Sequence, residues 1–255
     1  SGALVLLGNG DGTFAVPVGG ALPLPASSVT LGDVDGDGDL DIVTTMHFSD
    51  SMYSSTSVLL GNGDGSFAAG VDYTLPPGAR SAVLGDVDGD GDLDIVAANS
   101  SGASVLLGNG DGAFAARVDY ALPVGAISVA LGDVDGDGDL DIVTATSSDG
   151  SSWASVLLGN GHGSFASRAD VYAPLAASAV ALGDVDGDGD LDIVATTYSS
   201  ASVLLGNGDG SFAAPQDYFS PRVSSVALGD VDGDGDLDIV TANDFMAMVR
   251  LNRLR

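Results

Sequence analysis

Short apolar runs alternate with glycine- and aspartate-rich stretches along the whole chain. The middle of the chain shows the pattern. Ser128-Val129-Ala130-Leu131 leads into a polar loop, and Asp141-Ile142-Val143-Thr144 leaves it. Ser155-Val156-Leu157-Leu158 comes next, and a fourth run opens at Phe165 after a Gly-Asn-Gly turn. Short runs bounded by Gly, Asn and Asp predict strands, here labelled A to D. The Asn-Gly pair predicts a tight hairpin between C and D, because both turn residues tolerate positive φ. Strands this short and this apolar suit sheets covered on both faces.

The pattern repeats. The string GDVDGDGDLDIV begins at Gly32, Gly85, Gly132, Gly183 and Gly229. A second string, LLGNGDG or LLGNGHG, carries its first glycine at Gly8, Gly61, Gly108, Gly159 and Gly206. The two alternate with a period of 46 to 53 residues. That period belongs to propellers, whose blades are four-stranded sheets. The expected fold is therefore all-β, a β-propeller of about five four-stranded antiparallel blades in a single repeat domain. The repeat cores fall at about 27–73, 80–120, 127–172, 178–218 and 224–251. One phenylalanine follows each hairpin (Phe14, Phe67, Phe114, Phe165, Phe212) and reads as an aromatic wedge between neighbouring sheets. Tyr73, Tyr120, Tyr172 and Tyr218 recur on strand D and read as packing residues.

The ends complicate the blade count. The chain opens on one C strand, Leu4 to Leu7, and finishes on another, Met248 to Leu251. This gives one strand more than five blades of four require. In the preferred arrangement residues 1–24 supply C and D strands that close the ring. The alternatives are a paired C-terminal tail with Leu4 to Leu7 displaced, or a piece of a larger ring.

The loop between A and B carries the candidate chemistry. DVDGDGDLD places Asp at loop positions 1, 3, 5, 7 and 9. These are Asp33, Asp35, Asp37, Asp39 and Asp41 in the first copy, and Asp86, Asp88, Asp90, Asp92 and Asp94 in the second. They are Asp133, Asp135, Asp137, Asp139 and Asp141 in the third, and Asp184, Asp186, Asp188, Asp190 and Asp192 in the fourth. The fifth has Asp230, Asp232, Asp234, Asp236 and Asp238. Alternate residues wrap one centre if the backbone turns sharply at position 6, which is glycine in every copy (Gly38, Gly91, Gly138, Gly189, Gly235). Calcium takes six to eight oxygen ligands, and the EF-hand loop supplies them from such a spacing. The expectation is about five Ca²⁺ ions, one per repeat. Side chains would ligate from positions 1, 3, 5 and 9 and a carbonyl from position 7. An EF-hand is excluded, because position 12 is Thr44, Ala97, Thr144, Ala195 or Thr241 and not the required Glu. Five Asp within nine residues would repel one another without a counterion. The Asp of the GNGDG hairpins (Asp11, Asp64, Asp111, Asp209) reads as an Asx turn, and His162 replaces it in one copy.

Composition agrees. Among 255 residues, 36 are acidic and 7 basic, for a net charge of −29. That charge makes nucleic acid and anionic membranes poor partners and cations good ones. No apolar run reaches the roughly 20 residues of a membrane helix, and none reads as a signal peptide. No cysteine is present, so thiol catalysis and thiolate metal sites are excluded.

The alternation of GDVDGDGDLDIV with SVLLGNGDGSF resembles the FG-GAP/VCBS repeats of bacterial surface proteins, integrin α-subunit propellers and some fungal lectins. The resemblance spans essentially the whole chain. It implies a β-propeller with calcium loops between strands A and B. Integrin and lectin propellers usually have seven blades, against five repeats here, and no ligand-binding residue carries over, because the loops that would hold one do not match.

In a four-stranded blade the A–B and C–D turns share one end, and the B–C and D–A connections share the other. The first end is nearly uniform here. The second varies, and variable loops on a rigid scaffold are where function concentrates. Its candidate ligand-binding residues are Phe48, Tyr53, Arg80 and Trp153. Three function classes follow. The first is a calcium-stabilised extracellular, cell-surface or periplasmic module that binds a glycan or protein without catalysis. The second is a structural or adhesive scaffold. The third is a polysaccharide-degrading enzyme or its accessory domain, disfavoured because His47 and His162 lack evident catalytic partners.

Overall fold

The computed structural model describes residues 4–15, 26–47, 52–146, 152–173, 177–197, 199–220, 223–243 and 245–252. These residues form five antiparallel sheets and contain no helix. The first sheet runs β1 (Ala26–Gly32), β2 (Asp41–His47), β3 (Ser54–Leu59) and β4 (Val71–Leu75). The second holds β5 (Ser81–Gly85), β6 (Asp94–Asn99), β7 (Gly102–Leu106) and β8 (Val118–Ala121). The third holds β9 (Ala126–Gly132), β10 (Asp141–Thr146), β11 (Ser152–Leu158) and β12 (Ala166–Ala173). The fourth holds β13 (Ala177–Gly183), β14 (Asp192–Thr197), β15 (Ser200–Leu204) and β16 (Gln216–Phe219). The fifth has three strands, β17 (Ser225–Gly229), β18 (Asp238–Ala242) and β19 (Ala247–Arg250). Strand order equals chain order throughout, and the first strands of successive sheets touch one another, a propeller-like arrangement.

The strands read as expected, with one shift. Each first strand ends on a glycine paired with the Asp that opens the second strand, as in Gly132↔Asp141 and Gly85↔Asp94. Middle strands such as β6 and β7 are buried at every residue, as a sheet covered on both faces requires. The fourth strands are the exposed outer edges. In the first, second and fourth sheets the strand expected to open at the phenylalanine opens later. There Phe67, Phe114 and Phe212 make only single bridges to Gly61, Gly108 and Gly206.

The core lies between sheets. Val34, Val43 and Val58 of the first repeat meet Ala82, Ile95, Leu106 and Phe114 of the second. Burying each larger aliphatic side chain contributes about 1.5–3 kcal/mol. Phe114 stands edge-on to Tyr73 at 5.5 Å, and Phe165 edge-on to Tyr120 at 5.4 Å. Phe114 and Phe165 are thus wedges between sheets, each partnered by the tyrosine of the preceding repeat, whereas Phe14, expected to act alike, is 65% exposed. The tyrosine hydroxyls bond across the same gap: Phe114 N–H donates to Tyr73, and Tyr120 donates to the Gly163 carbonyl.

At the ends, Leu4 to Phe14 lies against the first sheet, with Leu7 beside Gly65 and a Gly8↔Phe14 bridge. Residues 16–24 of the segment expected to close the ring lie outside the described residues.

Candidate metal centres and the loop end

Each A–B loop is a coil of aspartates around glycine turns. In the third loop Gly136 and Gly138, at positions 4 and 6, have φ of 76° and 94°. A side chain is strained there, so both turns require glycine. The turns aim backbone N–H groups at the position-1 carboxylate. Gly136 N–H donates to Asp133 Oδ1 at 2.7 Å and Gly138 N–H to Asp133 Oδ2 at 3.0 Å. The other four loops repeat this bonding around Asp33, Asp86, Asp184 and Asp230.

Carboxylates converge as a result. One oxygen from each of three aspartates lies within 4.8 Å of the others in all five loops. The groups are Asp33, Asp35 and Asp37; Asp86, Asp88 and Asp90; and Asp230, Asp232 and Asp234. In the third and fourth loops position 9 joins: Asp133, Asp135 and Asp141, and Asp184, Asp186 and Asp192. Calcium–oxygen distances of about 2.3–2.6 Å place opposite ligands about 5 Å apart. Spacing and hard oxygen donors both fit such an ion.

Position 9 has a second role that the loop's spacing did not announce. Asp141 is fully buried; its Oδ2 accepts Val134 N–H at 2.8 Å and its Oδ1 accepts Gly159 N–H at 2.7 Å. Asp41, Asp94, Asp192 and Asp238 make the same pair of bonds. This carboxylate therefore ties the A–B loop to the end of the third strand. An Asp opening an otherwise apolar run is the signal that marks it. Position 7 faces elsewhere: Asp39, Asp92, Asp139 and Asp190 lie against Gly63, Gly110, Gly161 and Gly208 of the hairpins, where no side chain would fit.

Electrostatics follow the geometry. Burial pushes the Asp94 and Asp141 carboxyls up to about 6, against the two N–H bonds that lower each. Burial raises Asp192 for the same reason. Desolvation, reinforced by neighbouring carboxylates, also raises Asp35, Asp88, Asp135, Asp186 and Asp232. A nearby cation would reverse this cost. In the hairpins the Thr13 and Ser66 hydroxyls hold Asp11 and Asp64 below the usual range, the Asx-turn reading.

A set of outer-edge pairs was not foreseen. Ser57, Ser104 and Ser202 on the third strands donate to Asp72, Asp119 and Asp217 directly opposite on the fourth. Arg117 bonds Asp119 at 3.0 Å and the Thr74 carbonyl of the preceding sheet at 2.7 Å. The recurring Asp-Tyr of strand D was the available signal.

At the other end of the sheets, Ser100 N–H donates to the Pro77 carbonyl and Leu122 N–H to that of Ser101. B–C and D–A connections thus do share an end. Ala79 N–H donates to Ser54 Oγ at 3.2 Å, which brings exposed Tyr53 and exposed Arg80 to either side of one contact. Trp153 falls within β11, paired with Tyr172, and not in the preceding loop. Phe48 lies outside the described residues.

Comparison with known proteins decides the family. A model of the FG-GAP-like repeat matches residues 1–44, 48–97, 86–144, 133–195 and 184–241. The chain belongs to the FG-GAP-like repeat family. No curated protein matches it by sequence. Among solved structures, this FG-GAP-like chain resembles an Agrocybe aegerita lectin described as recognising non-reducing terminal N-acetylglucosamine. Identity is 23% and the TM-score 0.66, over 98% of this chain and 71% of the lectin. The Vibrio cholerae biofilm matrix protein Bap1 matches at 21% identity and TM-score 0.48, over 84% of this chain and 34% of that one. A Photorhabdus luminescens Tc holotoxin structure matches at 20% and 0.47, over 93% and 12%.

Proposed function

We propose that this FG-GAP-like protein is an extracellular, calcium-stabilised binding module that holds a glycan or protein ligand and performs no catalysis. The observation that carries the reading is the convergence of three carboxylates in each of five loops. Five such clusters in a chain of net charge −29 call for cations. Calcium-binding extracellular modules work at about 10⁻⁴–10⁻³ M, a range that supports the extracellular part of this reading. The uniform loop end serves calcium, and the variable end, where exposed Tyr53 and Arg80 flank the Ser54–Ala79 contact, offers an aromatic face and a guanidinium to a ligand. Two features support a non-catalytic role. The position-9 carboxylates are committed to backbone bonds, and His47 and His162 lie at opposite ends of their sheets.

The test is a glycan array in calcium, followed by calorimetry on Tyr53→Ala and Arg80→Ala. Terminal N-acetylglucosamine is the first probe, suggested by the lectin of similar fold. Expected is binding that weakens at least tenfold in either variant while the calcium-bound melt stays unchanged. Absence of binding to glycans at millimolar concentration, together with an empty pull-down, would remove the module reading and leave the scaffold.

A further inference from the structure

In the second, third and fourth repeats the C–D hairpin is bonded to two A–B loops at once. Gly108 N–H, at one end of the second repeat's hairpin, donates to Asp94 Oδ1 of its own loop at 2.7 Å. Gly112 N–H, at the other end, donates to the Val34 carbonyl of the preceding loop at 3.1 Å. The third repeat does the same with Gly159 on Asp141 and Gly163 on the Val87 carbonyl. The fourth does so with Gly206 on Asp192 and Gly210 on the Val134 carbonyl. Between the fourth and fifth loops one residue makes both bonds. Asn252 N–H donates to Asp238 Oδ1, and its Nδ2 donates to the Val185 carbonyl.

The relay continues inside each loop. The valine that receives the neighbour's bond sits at loop position 2, between positions 1 and 3, whose carboxylates belong to every cluster. Its own N–H donates to the position-9 Asp of the same loop: Val34 to Asp41, Val87 to Asp94, Val134 to Asp141 and Val185 to Asp192, at 2.7–2.8 Å. Positions 2 and 9 therefore hold each other and also hold a hairpin on either side. One line of hydrogen bonds passes through all five loops.

We propose that the five loops take up calcium cooperatively, each filled loop raising the affinity of its immediate neighbours through the hairpin, or the Asn252, that joins them. The inference rests on the calcium reading above. An ion held by positions 1 and 3 fixes the valine between them, and with it the hairpin seated on that valine. The next loop then has less freedom left to lose when it binds its own ion. Sites coupled in this way change one another's affinity by about 5–150-fold. Charge alone predicts the opposite sign: an emptied loop is more negative than a filled one and would draw calcium to its neighbours.

The test is hydrogen exchange read by mass spectrometry across a calcium titration at constant ionic strength, with one midpoint for each loop. Asp90→Ala removes a clustered carboxylate from the second loop. Expected is a rise of at least about fivefold in the midpoints of the first and third loops, with the fifth unmoved. Asn252→Ala keeps every carboxylate and removes the side-chain bond to the Val185 carbonyl. It should raise the midpoints of the fourth and fifth loops and leave the first unmoved. Neighbour midpoints that stay put or fall in either variant overturn the coupling and leave calcium binding standing. A uniform rise in every loop marks general destabilisation and overturns it too. Exchange that ignores calcium in all five loops overturns the calcium reading itself, and the coupling with it.

Discussion

Chelation is the perturbation whose outcome the loops specify most closely. An ion that binds only the folded chain stabilises it by about 2.7 kcal/mol when its free concentration is 100 times Kd. Five carboxylate clusters then sum to about 13 kcal/mol if independent, the scale of a whole domain's stability. At roughly 2–4 °C per kcal/mol for a domain of this size, one site is worth about 5–11 °C and the set several tens of degrees. The five should not be alike. In the third and fourth loops the cluster includes a buried carboxylate, Asp141 or Asp192, while Asp230, Asp232 and Asp234 of the fifth are all exposed. Ligands fixed by burial lose less freedom on binding, so the third and fourth loops should fill first and the fifth last.

Calorimetric melts across a calcium titration test this, with EDTA as the zero point and ionic strength held constant. Constant salt matters, because a net charge of −29 gains stability from screening alone. Expected are a large EDTA shift, a rise in Tm that spans more than a decade of free calcium, and little rescue by magnesium, which prefers few carboxylates. A melt in EDTA within about 2 °C of the calcium-saturated one would refute the reasoning.

Position 9 and position 5 should separate in the same assay. Asp141→Ala strands two buried N–H groups at about 1–3 kcal/mol each, so it should lower the melt even in EDTA, whereas Asp90→Ala, which removes a clustered carboxylate and only an exposed bond from the Asp92 N–H, should lower it chiefly in calcium. pH acts in opposite directions on the two forms. Asp94 and Asp141, raised by burial to about 6, bind protons more readily folded than unfolded between about pH 4 and 6. The chelated protein should therefore lose their contribution as pH rises through that window, while calcium stabilisation, which needs them ionised, should grow; melts at pH 5 and 7 with and without calcium check both signs. Phe114→Ala should cost about 3–5 kcal/mol, as for a buried aromatic, and Tyr73→Phe about 1 kcal/mol for the bond from the Phe114 N–H, both read by denaturant unfolding.

What was legible in the sequence is what each repeat decides alone. The apolar runs became strands, the glycine turns took positive φ, and three aspartates of each loop came within 4.8 Å of one another. What was not legible depends on a neighbour. Asp141 reads as one more loop carboxylate until Gly159 is brought beside it by the third strand. Phe114 reads as a wedge, yet its partner Tyr73 lies 41 residues away in the preceding repeat. The ends carry this furthest. Leu31 and Leu84 stand in near-identical strings, yet Leu31 is 57% exposed and Leu84 packs against Gly32 of the first sheet. A repeated sequence encodes one interface over and over, with both halves in every copy. Burying an apolar face removes it from water at about 25 cal/mol per Å², whichever molecule supplies the cover. The repeat that makes this fold cohere therefore does so through contacts that no single copy contains.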